Sequence, residues 1–387
     1  MLTFDPVPSV MTLEELPTPS LILSIDKFDR NVEQMRSALS RHSVQFRPHL
    51  KTAKSVDLAM RLFKGTSMPV TVSTLKEAEV FADAGLRDIF YAVGVAPSKL
   101  PRVIKLLDRG VDIAVLIDSI EQAEAVTAYS REQGKPIPTF LEVDCGDHRS
   151  GILPTNQHLL TQIAKKVSEG AELRGVATHC GRSYWAGSLT AIQELAITER
   201  DAAVQVAKLL RGAGHAVPVV SVGSTPTALH AKDLSGVTEV RAGVFMFFDM
   251  VQVGAESCSI DDVALSILAT VIGKNSATGH HIIDAGWMAV SRDRGTASQN
   301  IDQKYGLVCD VNGRPFKDLL VLDANQEHGI VGLRDGSMED EPELAIGSKI
   351  RILPNHACAA AAQHDCYHLV TGDSTSIDAV WPRFSGW

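Results

Sequence analysis

The segment Arg47-Pro48-His49-Leu50-Lys51-Thr52-Ala53-Lys54 puts a lysine where a strand-like apolar run (Val44 to Phe46) gives way to a helical pattern (Ser55 to Phe63). In an α/β enzyme that junction is the C-terminal mouth of a strand, where loops carry reactive groups. A lysine alone reads as a solvated surface residue, and Lys54 fits that description. Lys51 differs because His49 and Arg47 stand beside it, and a nearby cation or partial burial frees an amine of its proton. A second reactive group is Leu353-Pro354-Asn355-His356-Ala357-Cys358, with His364 and Asp365 after it. In an extended segment residues two apart point to the same side, so His356 and Cys358 could grip one metal ion. Imidazole plus thiolate suits zinc, and two protein ligands leave positions for water and a substrate.

The elements that must position these groups alternate with regularity. Strand-like runs fall at Val44–Leu50, Val70–Ser73, Ile89–Val93, Ile113–Ile117, Phe140–Asp144, Gly175–His179, Val219–Val222 and Glu239–Phe248. Helical patterns separate most of them, at Leu75–Ala84, Ser98–Asp108, Ile120–Glu132, His158–Ser168 and Ala191–Leu210. The order predicts an α/β chain with a closed (β/α)8 TIM-like barrel; an open doubly wound sheet would want a Gly-rich loop after its first strand, and none is present. An apolar run, Ser20–Ile25, precedes the eight. Beyond Gly254 short β-like runs follow at Ala264–Ile272, His281–Asp284, Leu319–Leu322, Lys349–Leu353 and Tyr367–Thr371. The predicted domains are a barrel over 26–253 and a second, mainly β domain over 1–25 and 254–387 that carries the metal pair.

Other strand ends also carry useful groups. Val222 runs into Gly223-Ser224-Thr225-Pro226-Thr227, whose small residues let backbone N–H groups approach an anion while hydroxyls add donors. On the barrel count this loop follows the seventh strand, the usual phosphate position. Thr74, then Asp144 with Asp147, His148 and Arg149, then His179, Cys180 and Tyr184 end other strands. Arg149 could donate to a carboxylate, a ring oxygen or a pyridine nitrogen, and His179 or Tyr184 could touch a bound group or hold a proton. Taken singly, Asp147 and Arg149 read equally well as a surface ion pair and His179 as a satisfied core histidine.

The 387 residues are 45% hydrophobic and carry a formal charge of −9. Without a basic block this argues against nucleic acid as a partner. No apolar run reaches transmembrane length, and Met1 to Leu16 carries acids instead of a signal peptide's basic-then-apolar order, so a cytoplasmic protein is expected with no membrane partner. The six cysteines (Cys145, Cys180, Cys258, Cys309, Cys358, Cys366) show no CxxC pair and read mostly as small buried hydrophobes.

The lysine string resembles that of the fold-type III pyridoxal-phosphate enzymes related to D-serine dehydratase and D-threonine aldolase. The likeness continues through Val72 to Ala78, Ser221 to Ala228, Glu239 to Gly243, Asp284 to Trp287, Gln326 to Gly329 and Asn355 to Cys358. It implies an alanine-racemase-like fold and pyridoxal 5'-phosphate held as a Schiff base by Lys51. The cofactor set is then Lys51, Thr74, Arg149, His179, Tyr184, Gly223, Ser224 and Thr225. His356 and Cys358 match the family's zinc pair, with Mn2+ or another divalent ion as an alternative. The aldolase branch carries an aspartate near its metal histidine where this chain has Ala359, which favours a dehydratase. The resemblance therefore implies a homodimeric lyase that takes a D-3-hydroxy amino acid, such as D-serine or 3-hydroxyaspartate, to a 2-oxo acid and ammonia. A metal-dependent aldolase and an amino-acid racemase are the other readings; the His-x-Cys pair argues against the racemase, which needs no metal.

Overall fold

Eight short strands, Gln45–Pro48, Val70–Val72, Asp88–Gly94, Asp112–Ile117, Pro138–Glu142, Glu172–Ala177, Val219–Val222 and Glu239–Ala242, run parallel in sequence order in this computed structural model. The structure describes residues 11–65, 68–337 and 341–387; positions 1–10, part of the acidic N-terminal stretch, lie outside the described residues. Gln45 pairs with Glu239 across the seam, and at the other edge the Leu50 amide donates to Thr71 at 2.9 Å, with His49 bridging to Thr71, so the sheet closes into a barrel. Phe90, Ala114, Leu116, Phe140 and Ala177 pack together, with the Phe90 and Phe140 rings 4.3 Å apart.

Several crossover helices begin where a side chain satisfies a first free amide. Thr74 accepts from Glu77 to start Leu75–Asp83, Ser119 from Gln122 to start Ile120–Glu132, and Ser188 from Ala191 to start Leu189–Gly212. The last strand is shorter than expected. It stops at Ala242 because its partner stops at Pro48 opposite, and Val244–Met246 forms a 3-10 turn instead.

Contacts divide the described residues into two compact units, one within 34–243 with 386–387, the other within 11–33 and 244–385. The second unit is a nine-stranded sheet in the order His281–Ile283, Gly329–Leu333, Pro315–Ala324, Leu307–Cys309, Lys349–Leu353, Leu265–Lys274, Ser20–Ser24, Cys366–Val370, Ala379–Pro382. The early strand Ser20–Ser24 is built into its middle, antiparallel to Leu265–Lys274 and parallel to Cys366–Val370. Leu13, Leu16, Ile22, Leu268, Val370 and Ile377 pack there into one apolar cluster. Three strands escaped the sequence reading: Leu307–Cys309, Gly329–Leu333 and Ala379–Pro382. No helix among the described residues is long and apolar enough to cross a membrane.

Candidate active site

Lys51 follows the first barrel strand directly. Lys54 donates its amide to the Leu50 carbonyl at 2.9 Å, closing a turn that delivers the chain to Ser55 and the helix Val56–Phe63. Lys51 is exposed and forms no ion pair among the described residues. Lys54 does: it lies 3.4 Å from the buried Glu77 carboxylate, so it is not the solvated residue expected from sequence.

Two histidines electrostatically coupled to Lys51 are held neutral. Burial, then the charges of Lys51 and Arg241, keeps His49 well below the ordinary imidazole range. Burial and Lys51 push His179 down to about 3. His49 Nδ1 faces the Lys51 amide at 3.4 Å and Nε2 faces Ser73 Oγ at 3.3 Å, contacts met together by a neutral ring protonated on Nε2. The expectation that His49 and Arg47 supply a positive charge to Lys51 is therefore corrected. Arg47 spends its charge on Glu239 and Asp88, each at 2.6 Å. The buried cation that both histidines sense is Arg241, which donates to the Thr178 carbonyl at 2.7 Å and to Ser221 Oγ, and lies over the Phe90 ring.

The sixth and seventh strand ends are tied into one surface. His179 Nδ1 donates to the Gly223 carbonyl at 2.7 Å. The buried Glu199 carboxylate accepts from the Gly223 and Cys180 amides at 3.0 and 2.9 Å. Burial raises Glu199 to about 7, against the hydrogen bonds from Thr227, Gly223 and Cys180 that lower it. Gly223 has φ +141°, and a Cβ there would overlap the Arg241 carbonyl, so only glycine fits. Ser224 then caps Thr225–His230 reciprocally with Thr227, and its hydroxyl lies 2.7 Å from that of Ser183. Tyr184, in the 3-10 turn Gly181–Trp185, sits with its ring 5.9 Å from His179.

Lys51, His179, Tyr184 and Gly223–Thr225 thus belong to one rim. Arg149 is largely exposed, 3.8 Å from Glu142, but its charge contributes to lowering His179, which places it near the same rim. Thr74 stands apart in role, since its hydroxyl accepts from the Glu77 amide at 3.0 Å and donates to the Glu77 carboxylate at 3.2 Å. Asp147 pairs with Arg182, not with Arg149.

In the β unit, His356 and Cys358 do not lie in an extended strand. Lys349–Leu353 ends, His356 is the extended N-cap (φ −133°), and Cys358 is already in the short helix Ala357–Ala361. The two side chains still meet, hydrogen-bonded to each other. The turn is clamped from several sides: Asn355 Nδ2 donates to the Asp293 and Lys304 carbonyls, and its Oδ1 accepts from Thr296. The buried Asp249 carboxylate accepts the Ala357 amide at 2.8 Å. Asp293 Oδ2 lies 2.6 Å from His356 Nδ1, which orients the ring and leaves Nε2 for an ion. Burial alone would lower His356, but Cys358 and Asp293 outweigh it and raise the ring to about 11. His364 is occupied with the Ala289 carbonyl at 3.1 Å.

Sequence reasoning missed Asp293, Asp249, Glu199 and Arg241 as contributors to these sites. Asp293 is 63 residues from His356 and Asp249 108 from Ala357, separations that no local pattern reports.

Residues 23–251 match the family model of the alanine racemase N-terminal domain and residues 264–370 that of a putative serine dehydratase domain. The chain is 46% identical over 379 residues to D-threo-3-hydroxyaspartate dehydratase of Delftia sp. (strain HT23), covering 97% of this chain and 99% of that protein. It is 30% identical over 396 residues to D-serine dehydratase of Dictyostelium discoideum, covering 96% and 98%. The solved structure of a cysteine-to-alanine variant of D-threo-3-hydroxyaspartate dehydratase in the metal-free form matches at TM-score 0.93 and 46% identity, covering 97% of this chain and all of that one. The chain therefore belongs to the fold-type III pyridoxal-phosphate enzymes, in the branch that joins an alanine-racemase-like barrel to a serine-dehydratase domain.

Proposed function

We propose that this chain is a pyridoxal-phosphate- and zinc-dependent dehydratase that converts a D-3-hydroxy amino acid, D-threo-3-hydroxyaspartate or D-serine, to a 2-oxo acid and ammonia. The observation that carries the reading is the Asp293–His356–Cys358 constellation on the same chain as Lys51, because a racemase of this fold has no use for a metal pair. That a cysteine variant of the Delftia-type dehydratase is known in a metal-free form supports it.

The residues fit both groups. An amine without an ion-pair partner among the described residues, beside two neutral imidazoles, suits the cofactor's aldehyde. The glycine turn with its hydroxyl cluster suits a phosphate. A thiol and a carboxylate-oriented imidazole form a zinc donor set. When bound, pyridoxal phosphate supplies an electron sink for the Cα–H bond, and zinc a Lewis acid for the β-hydroxyl, otherwise a poor leaving group. Lys51 would hold the cofactor, and its amine would serve as the base for the Cα proton. Gly223, Ser224 and Thr225 would hold the phosphate, His179 and Tyr184 would lie beside the cofactor, and Arg149 at the rim would offer a charge to a carboxylate; Thr74 would contribute through the helix it caps.

The same proposal takes 26–253 as the cofactor-binding barrel domain, 1–25 with 254–387 as the metal-carrying domain, a homodimer as the assembly and the cytoplasm as the location. A panel of D- and L-serine, D-threonine and the 3-hydroxyaspartate stereoisomers, scored for ammonia with 2-oxo acid and for glycine with aldehyde, tests the reaction. Ammonia with 2-oxo acid from D-isomers is expected; glycine with aldehyde as the main products would assign an aldolase instead.

A further inference from the structure

We propose that Cys145, Asp147 and Cys180 form a second metal site, built for zinc or a similarly thiophilic divalent cation, separate from the His356 and Cys358 pair. Their ligand atoms all lie within 4.8 Å of one another. Cys145 follows the fifth barrel strand and Cys180 the sixth, and these neighbours are paired through Glu142 and Ala177, which brings the two thiols together. Both cysteines are buried, and Cys180 is hydrogen-bonded to Cys145. Two buried cysteines alone would be ordinary small core residues. Here a carboxylate oxygen adds a third donor beside the two thiols.

Asp147 is aimed by the backbone. One oxygen accepts the Gly181 amide, and the other accepts the Arg182 amide at 3.2 Å with the Arg182 guanidinium at 3.7 Å. Glycines permit the close approach: a Cβ on Gly181 would lie 2.6 Å from Asp147 Oδ2, and one on Gly146 (φ +110°) 2.8 Å from the Arg182 guanidinium. Two thiolates and a carboxylate are three donors of a tetrahedral zinc site, with the fourth position left to water. An ion there would pin the fifth strand's end to the sixth. Cys180 lies between His179 and the turn carrying Tyr184, so the ion fixes the segment that lines the Lys51 rim and takes no part in the chemistry.

Chelator-treated holoenzyme kept reduced, reloaded with Zn2+, desalted and measured by elemental analysis decides the matter. Cd2+ reports the number of thiolates through its ultraviolet thiolate-to-metal absorbance. Two zinc ions per wild-type chain are expected, with one in His356→Ala/Cys358→Ala and one in Cys145→Ala/Cys180→Ala. The His356→Ala/Cys358→Ala chain should show the cadmium absorbance of two thiolates. That chain also carries the test if Cys145→Ala/Cys180→Ala does not fold. Adding Asp147→Asn to it should weaken zinc by at least the roughly tenfold that even an outer-shell partner contributes. No zinc on His356→Ala/Cys358→Ala, an affinity unmoved by Asp147→Asn, or a Cys145–Cys180 disulfide in place of two free thiols would overturn the site.

Discussion

The same side chain, histidine, is driven in opposite directions in the two units. At the barrel mouth burial and the charges of Lys51 and Arg241 push His179 down to about 3, whereas in the β unit Cys358 and Asp293 raise His356 to about 11. At the barrel rim the buried Glu239 and Glu77 carboxylates are engaged with Arg47 and Lys54, which leaves Lys51 among neutral imidazoles with the Arg241 and Arg149 charges nearby. That field suits an amine that must give up a proton and an incoming phosphate. The β-unit turn collects Asp293, Asp249 and a thiol around one imidazole, a field that suits a cation. On the proposed reading, one chain keeps an anion-and-amine site in one unit and a cation site in the other.

Breaking the barrel side should have the largest effect. Lys51→Ala is expected to cut ammonia release at least about a thousandfold, the scale of a lost acid–base group, and to remove visible absorbance while leaving bound zinc unchanged. Zinc loss in that variant, measured by elemental analysis, would mean that the two sites are not separable. The next effect is in stability. Glu199 is raised by burial from 4.5 to about 7, so its stabilising contribution is complete below pH 4.5 and is lost as pH climbs to 7, roughly 3 kcal/mol in all. Glu199→Gln keeps an oxygen for both amides, so thermal unfolding should show the variant gaining on the wild type between pH 5 and pH 8. A gap that stays constant with pH would place the Glu199 titration elsewhere. On the β side, Asp293→Asn should weaken zinc about ten- to a hundredfold, read by competition with a chromophoric chelator, with visible absorbance intact. Smallest is Ser224→Ala, which loses a helix cap and should cost about 1 kcal/mol in thermal unfolding, with the barrel still folded.

How far each region was legible follows from how local its signals are. The barrel's strands and helices were readable because each is an apolar run or a capped amphipathic stretch; the pattern for Ile120–Glu132 coincides with the helix, and that for Leu75–Ala84 overruns by one residue. The β sheet was harder: Leu307–Cys309 has three residues and Ala379–Pro382 four, too short for a period to show. Lys51 stood out as a candidate because the strand-to-helix junction marks it locally. The His356 and Cys358 pair was found with the wrong backbone, since the helix Ala357–Ala361 has only five residues. Asp293, Asp249 and Glu199 matter through partners that tertiary pairing alone brings close, which a linear reading does not reach.

The separation of the two sites is tested most directly by removing the metal from the holoenzyme and following two signals on D-serine or 3-hydroxyaspartate in deuterated solvent. The account predicts that chelated protein, shown metal-free by elemental analysis, keeps its visible absorbance and exchanges the substrate Cα proton through Lys51 but releases no ammonia, and that added Zn2+ restores release. Full ammonia release from the metal-free protein would contradict it and return His356 and Cys358 to structural roles.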